Sequence, residues 1–142
     1  MIGETSKDRE ETGPPAPLVL ELRRNVEAPG VARAAVSELS RRLGVTGSTF
    51  QTLVLLVSEV VSNAVLHSTG PSEAPITLTA SVTADAVRID VMDAGGGFIP
   101  RQRDPASIND GYGLYLVDKA ASRWGVDSTG PTSVWFELPL ST

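Results

Sequence analysis

Cysteine is absent from the 142 residues, histidine occurs once, at His67, and lysine only at Lys7 and Lys119. The first absence excludes a disulfide framework, a Cys-based zinc site and a thiol nucleophile. A single imidazole excludes a His-rich metal site. With lysine confined to those two positions, there is no G-x-x-x-x-G-K-[ST] phosphate loop. Basic residues are outnumbered, 12 Lys+Arg against 17 Asp+Glu, for a net charge of −5. A protein that lives on nucleic acid phosphates needs the opposite balance. No uninterrupted run approaches the roughly 18 apolar residues of a membrane span, and no apolar signal stretch opens the chain. What is present, 41% hydrophobic and 20% charged residues, is an ordinary globular mix at the length of one domain. The expectation is a soluble, cytoplasmic, single-domain protein with no membrane or direct nucleic-acid contact.

Residues 1–17 combine charge with Pro14, Pro15 and Pro17 and almost no bulky apolar side chain. Such a tail cannot bury enough surface to offset its ordering entropy and is expected to be disordered. Residues 18–142 form the single folded unit. Leu18 to Leu22 alternates weakly, as an edge strand does. Pro29 and Gly30 open a helix to about Leu43, with Val31, Ala34, Ala35, Leu39 and Leu43 as its inner stripe, and Gly44 stops it. The longest helix starts at Gly47-Ser48-Thr49, with Ser48 or Thr49 as N-cap, and ends near His67. ITLTASV (76–82) and VRIDV (87–91) alternate at period two and pair as strands. A short helix is expected over 114–122, and strands over 124–126 and 134–138. Two or three helices on one antiparallel or mixed sheet make an α+β, two-layer sandwich, the sheet covered on one face.

On the long helix, Leu53, Val57, Val60, Val61, Ala64 and Val65 share a face. Leu55 and Leu56 extend it nearly around the helix, which is therefore expected to be buried on most sides. Glu59 is the only formal charge between Gln51 and His67, and Asn63 and His67 follow it at one-turn intervals. This stripe is either a plain solvent face or a working one. Solvent faces usually carry several Lys, Arg or Glu residues, whereas this has one acid with no basic partner at i±4. A carboxylate can take a proton or orient water, and a carboxamide oxygen can ligate a hard cation such as Mg²⁺.

Glycines cluster in two places. Asp93-Ala-Gly95-Gly-Gly97 follows the VRIDV strand directly, and Asp110-Gly111-Tyr112-Gly113-Leu114 opens the last helix. Glycine lets the backbone come close to a ligand, and a helix N-terminus favours phosphate. Neither loop is G-x-G-x-x-G, and each alone could be an ordinary turn. Their order carries more: acid-and-amide helix, strand pair, Asp-x-Gly-x-Gly, intervening segment, then the Gly-x-Gly helix.

That order resembles the Bergerat-fold ATP-binding superfamily of gyrase, Hsp90, histidine kinases and MutL, the GHKL group, over roughly residues 18–140. Glu59-x-x-x-Asn63 looks like the N box, Asp93-x-Gly95-x-Gly97 like the G1 box and Gly111-x-Gly113-Leu114 like the G2 box. Within the group, SEVVSNAVLHS and the RWGV…SVWFEL ending are most similar to anti-sigma-factor serine kinases of the RsbW and SpoIIAB type.

The resemblance implies that Glu59 is the general base and that Asn63 ligates Mg²⁺. It implies that Asp93 accepts a hydrogen bond from the adenine amino group in a pocket shaped by Gly95 and Gly97. Gly111 and Gly113 would give backbone N–H groups to the phosphates, with Leu114 behind them. Residues 99–110 would be an ATP lid from which Arg101 or Arg103 reaches the terminal phosphate. Ser133, or else Thr132, would serve the adenine end. Close relatives often have Arg where Tyr112 stands, and Gly96 is an extra glycine in the first loop.

The activity implied is ATP- and Mg²⁺-dependent phosphorylation of a serine on a STAS-domain antagonist, coupled to capture of an RNA polymerase sigma factor by a homodimer. The alternative is an ATP-binding regulatory module that transfers no phosphate. A sensor histidine kinase would need a dimerisation helix pair with a phosphoacceptor His, and the one histidine lies inside the N box.

Overall fold

A computed structural model describes residues 16–67, 73–93, 112–127 and 131–140. Five strands, β1 (Leu18–Leu22), β2 (Ile76–Val82), β3 (Ala86–Asp93), β4 (Arg123–Asp127) and β5 (Thr132–Pro139), form one sheet in the order β1-β2-β3-β5-β4. Every pairing is antiparallel. Three helices, α1 (Ala28–Leu43), α2 (Gly47–His67) and α3 (Tyr112–Ala120), pack on one face with α2 in the middle.

Alternation dictates which face they cover. Ile76, Leu78 and Ala80 of β2, Val87, Ile89 and Val91 of β3, and Val134, Phe136 and Leu138 of β5 are all buried beneath the helices. Fully burying an aliphatic or aromatic side chain contributes about 1.5–3 kcal/mol, so these rows fix the strand register. The opposite face is polar. There Arg88 pairs with Asp90 (3.0 Å) and Glu137 (3.4 Å) and lies 4.1 Å from the centre of the Trp135 ring. The Asp90 carboxylate beside it raises the Arg88 pKa further above its usual value. The Trp135 ring lies flat over β4, where a Cβ on Gly125 would approach its Nε1 to 2.8 Å. Only glycine leaves that room.

The helices differ from expectation in phase more than in place. The buried stripe of α1 is Ala28, Ala32, Val36, Leu39 and Ser40, not the one drawn through Val31 and Ala34, both of which are exposed. Alanine is small enough to satisfy either stripe, and Val36 against α2 decides between them. Asn25 Oδ1 accepts from Glu27 N (2.9 Å) ahead of α1, and Gly44 ends the helix in the left-handed region at φ 76°. Val45 N–H reaches back to Ser40 O (2.9 Å), closing a Schellman-type turn. A second left-handed glycine, Gly47 at φ 66°, leads into α2. Ser48 and Thr49 therefore lie inside the first turn rather than at the N-cap. α3 begins two residues earlier than expected, at Tyr112.

By length and composition α2 is apolar enough over Gly47–Leu66 to cross a membrane, with a mean hydropathy of 1.5. The expectation from uninterrupted runs missed this because Ser58, Glu59, Ser62 and Asn63 break the run. In the fold its apolar side chains are used by the core: Leu53, Leu56, Val57, Val60 and Val61 are buried. Leu55 and Leu66 are not, so α2 is less encircled than its composition suggests.

Candidate functional site

Three polar side chains converge under the helical layer. Asn63 comes from α2, Asp93 from the end of β3 and Thr132 from the start of β5. They are 7%, 5% and 1% exposed. Asp93 and Thr132 are opposite one another in the β3–β5 ladder, so both point to the helix side at the same level. Together with Val60, Ala64, Val91, Val134 and Leu114 they line a cavity of about 10 Å³, the size of one water.

Burying polar atoms among valines costs stability unless each is hydrogen-bonded. Asn63 Nδ2 and Thr132 Oγ1 have no hydrogen-bond partner among the described residues. Two such atoms at one cavity, beside a buried carboxylate, leave hydrogen-bonding capacity that a bound water or the edge of a polar ligand can take up. A carboxamide, a hydroxyl and a carboxylate can together accept and donate to a heterocycle. The Asn63 amide can also turn its oxygen toward a cation.

Helix geometry explains how Glu59 relates to this trio. Four residues advance the helix by 400°, so Asn63 sits about 40° further round than Glu59. Glu59 is half-buried, whereas Asn63 is buried. Glu59 does not line the cavity among the described residues.

Residues 22–137 match the family model of the histidine kinase-like ATPase domain. The chain belongs to that family. As a histidine kinase-like ATPase domain it is an ATP-binding, kinase-like module of the GHKL superfamily, as its motif order indicated. Among solved structures, a crystal structure of the RsbU and RsbW domains of Rv1364c from Mycobacterium tuberculosis is similar in fold. It has a TM-score of 0.69 at 23% identity, covering 89% of this chain. The alignment spans 33% of that longer chain, so this chain is about a third of its length. No curated protein sequence matches.

Of the residues expected to serve nucleotide in this ATPase domain, Asn63, Asp93 and Leu114 meet at the cavity, and Glu59 precedes Asn63 by one turn of α2 without lining it. Gly113 lies in the first turn of α3. Gly95, Gly97, Arg101, Arg103 and Gly111 lie outside the described residues, as does the segment 99–110. Ser133 is placed otherwise. It pairs with Met92 and directs its Oγ toward Asp90 Oδ1 (3.5 Å) on the polar face of the sheet. Thr132 is the hydroxyl that faces the cavity. The phase of β5 contains the signal: Val134, Phe136 and Leu138 must point to the core, so position 132 points with them. The apolar walls Val60, Ala64, Val91 and Val134 were not read as site residues, because nothing in sequence separates a pocket wall from core.

Proposed function

We propose that the chain is an ATP-dependent protein serine kinase and anti-sigma factor. It phosphorylates a STAS-domain antagonist and, as a cytoplasmic homodimer, holds an RNA polymerase sigma factor. The observation that carries the catalytic half is the convergence of Asn63, Asp93 and Thr132 on one cavity, with the half-buried Glu59 one helical turn before Asn63. The partner half rests on the sequence resemblance to RsbW-type kinases and on the fold shared with a chain that includes an RsbW domain.

The donors present fit a nucleotide and a hard cation. Asp93 accepts from the exocyclic amine of adenine, and Thr132 serves the same end with a hydroxyl that can donate or accept. Asn63 would hold Mg²⁺ through its amide oxygen. Bound ATP supplies the γ-phosphoryl group and Mg²⁺ the counter-charge for it. A serine hydroxyl gives its proton to Glu59 as its oxygen bonds to the γ-phosphorus. The bond from that phosphorus to the bridging oxygen breaks, and ADP leaves with the electron pair. Little covalent help is required beyond position, charge and a base. The cavity is water-sized, so its lining must move apart to admit an adenine ring.

Glu59→Gln tests this. The variant keeps shape, so calorimetry should show ATP binding close to wild type. Transfer of labelled γ-phosphate to STAS-domain proteins should fall roughly 10²–10⁴-fold. Unchanged transfer would remove Glu59 from the role of base. ATP binding without transfer by the wild type would favour a regulatory module instead.

A further inference from the structure

The cavity has room for one water, so an incoming ring displaces part of its wall, and the described walls differ in what holds them. Val91 and Asp93 belong to β3, which is bonded to β2 on one side and β5 on the other. Thr132 and Val134 belong to β5, which lies between β3 and β4. Shifting either strand breaks ladder hydrogen bonds. Val60, Asn63 and Ala64 belong to α2, and moving that helix unpacks the whole buried row from Leu53 to Val61. The nine-residue α3 contributes Leu114 alone. Its described buried side chains are Leu114 and Val117. Tilting α3 therefore uncovers the least apolar area of the three movements.

The C-terminal end of α3 is tied to the sheet. Ser122, two residues past the helix, donates both its N–H (2.9 Å) and its hydroxyl (3.0 Å) to the Glu137 carbonyl of β5. Trp124 of β4 stands opposite Phe136 in the ladder and packs against the core. Its Nε1–H donates to Asp118 Oδ1 at 3.0 Å. Asp118 follows Leu114 by one turn, about 6 Å along the axis.

We infer that α3 is the moving wall of the nucleotide cavity and that Asp118, held by Trp124, is its pivot. The inference rests on the nucleotide reading and adds how the site opens. A tilt of about 30° around Asp118 carries the Leu114 backbone about 3 Å outward, close to the thickness of a stacked base. Val117, beside the pivot, hardly moves and stays in the core. The Trp124–Asp118 bond survives the tilt because it lies at the pivot. Occupancy of the cavity is thereby converted into the angle of one short helix.

Methyl NOE spectra of the full chain, with and without ADP, provide the test. On adding ADP, contacts from the Leu114 methyls to Val60, Val91 and Val134 should be lost. Contacts of Val60 with Val91 and Val134 should remain. The Trp124 indole N–H, assigned by Trp124→Phe, should exchange within twofold of its rate in the free protein. Asp118→Ala should speed that exchange about fivefold, the worth of one ordinary hydrogen bond. Asp118→Asn keeps an accepting oxygen and should restore the slow rate. In Asp118→Ala, ADP should also loosen the Val117 contacts that the wild type keeps. Asp118 is exposed, so both of its variants should fold, which thermal melts check.

Retained Leu114 contacts with lost Val60 contacts would make α2 the moving wall and overturn the inference. Faster indole exchange in the wild type on adding ADP would mean that α3 shifts as a whole, with no pivot at Asp118. Unchanged exchange in Asp118→Ala would dismiss the pivot as well. Retention of every contact in a protein that calorimetry shows to bind ADP would overturn the moving wall and leave nucleotide binding in place. Absence of both ADP and ATP binding would overturn the nucleotide reading beneath it.

Discussion

Replacing Thr132 with valine should make the protein more stable and a poorer nucleotide binder. The side chain is 1% exposed, and its Oγ1 has no hydrogen-bond partner among the described residues. Valine has nearly the same shape and suits a strand better. In mutational data, a buried hydroxyl lacking a partner costs about 1–3 kcal/mol. Urea denaturation should therefore show a gain of about 1–2 kcal/mol, and a domain of this size should melt about 3–6 °C higher. On the proposed nucleotide reading, the same change removes one hydrogen bond to the ligand. At about 1 kcal/mol for such a bond, the ATP dissociation constant should rise roughly fivefold. Ser133→Ala, on the opposite face of the sheet, should leave that constant unaltered. Loss of stability in Thr132→Val would show that the hydroxyl is already satisfied in the folded protein. Greater stability with unaltered ATP affinity would show that it is idle in binding.

Asp93→Asn should weaken ATP binding tenfold or more in calorimetry, since a hydrogen bond to a charged acceptor is worth about 1.5–3 kcal/mol. Ser40 is the other kind of orphan, a buried hydroxyl with no hydrogen-bond partner among the described residues and remote from the cavity. Ser40→Ala should stabilise by about 1 kcal/mol in urea with ATP affinity untouched. Gly125→Ala should drive the Trp135 ring off β4 and out of its stack with Arg88, costing about 1–3 kcal/mol. Denaturation followed by tryptophan fluorescence reads both effects, and an unperturbed spectrum would contradict the close approach.

Strand positions and the two ends of α2 were legible because β-branched and aromatic residues alternate and glycines sit where the chain must turn. The Glu59–Asn63 pair and Asp93 were legible because an isolated acid, an amide and a strand-end carboxylate stand out against apolar neighbours. Phase was less legible. In α1 an alanine-rich sequence allows two inner stripes, and only contact with α2 chooses Val36 over Val31. In β5 adjacent hydroxyls at 132 and 133 look alike until the core residues on the same strand fix which one turns inward. The near-encirclement expected of α2 failed at Leu55 and Leu66, where composition says apolar and position says outward. Sequence carries the chemistry of a side chain more directly than its direction.

The Asp93–Thr132 pair is the last rung of its ladder, and this has a consequence for folding order. Joining that rung closes a loop of about 40 residues, the smallest in the β3–β5 ladder, so loop entropy favours it as the rung from which the rest of the ladder zips. The α1–α2 hairpin can assemble from local contacts long before, with Asn63 already in place but nothing opposite it. Nucleotide recognition at this cavity therefore needs both the β3–β5 pairing and the helical layer in place. A ligand that bridges α2 to that rung rivets the helical layer to that end of the sheet, and raises the free energy of opening there by its own binding energy. Amide exchange at residues 91–93 and 132–134 should slow on adding nucleotide, whereas the far end of the same ladder, at residues 86–88, should exchange as before.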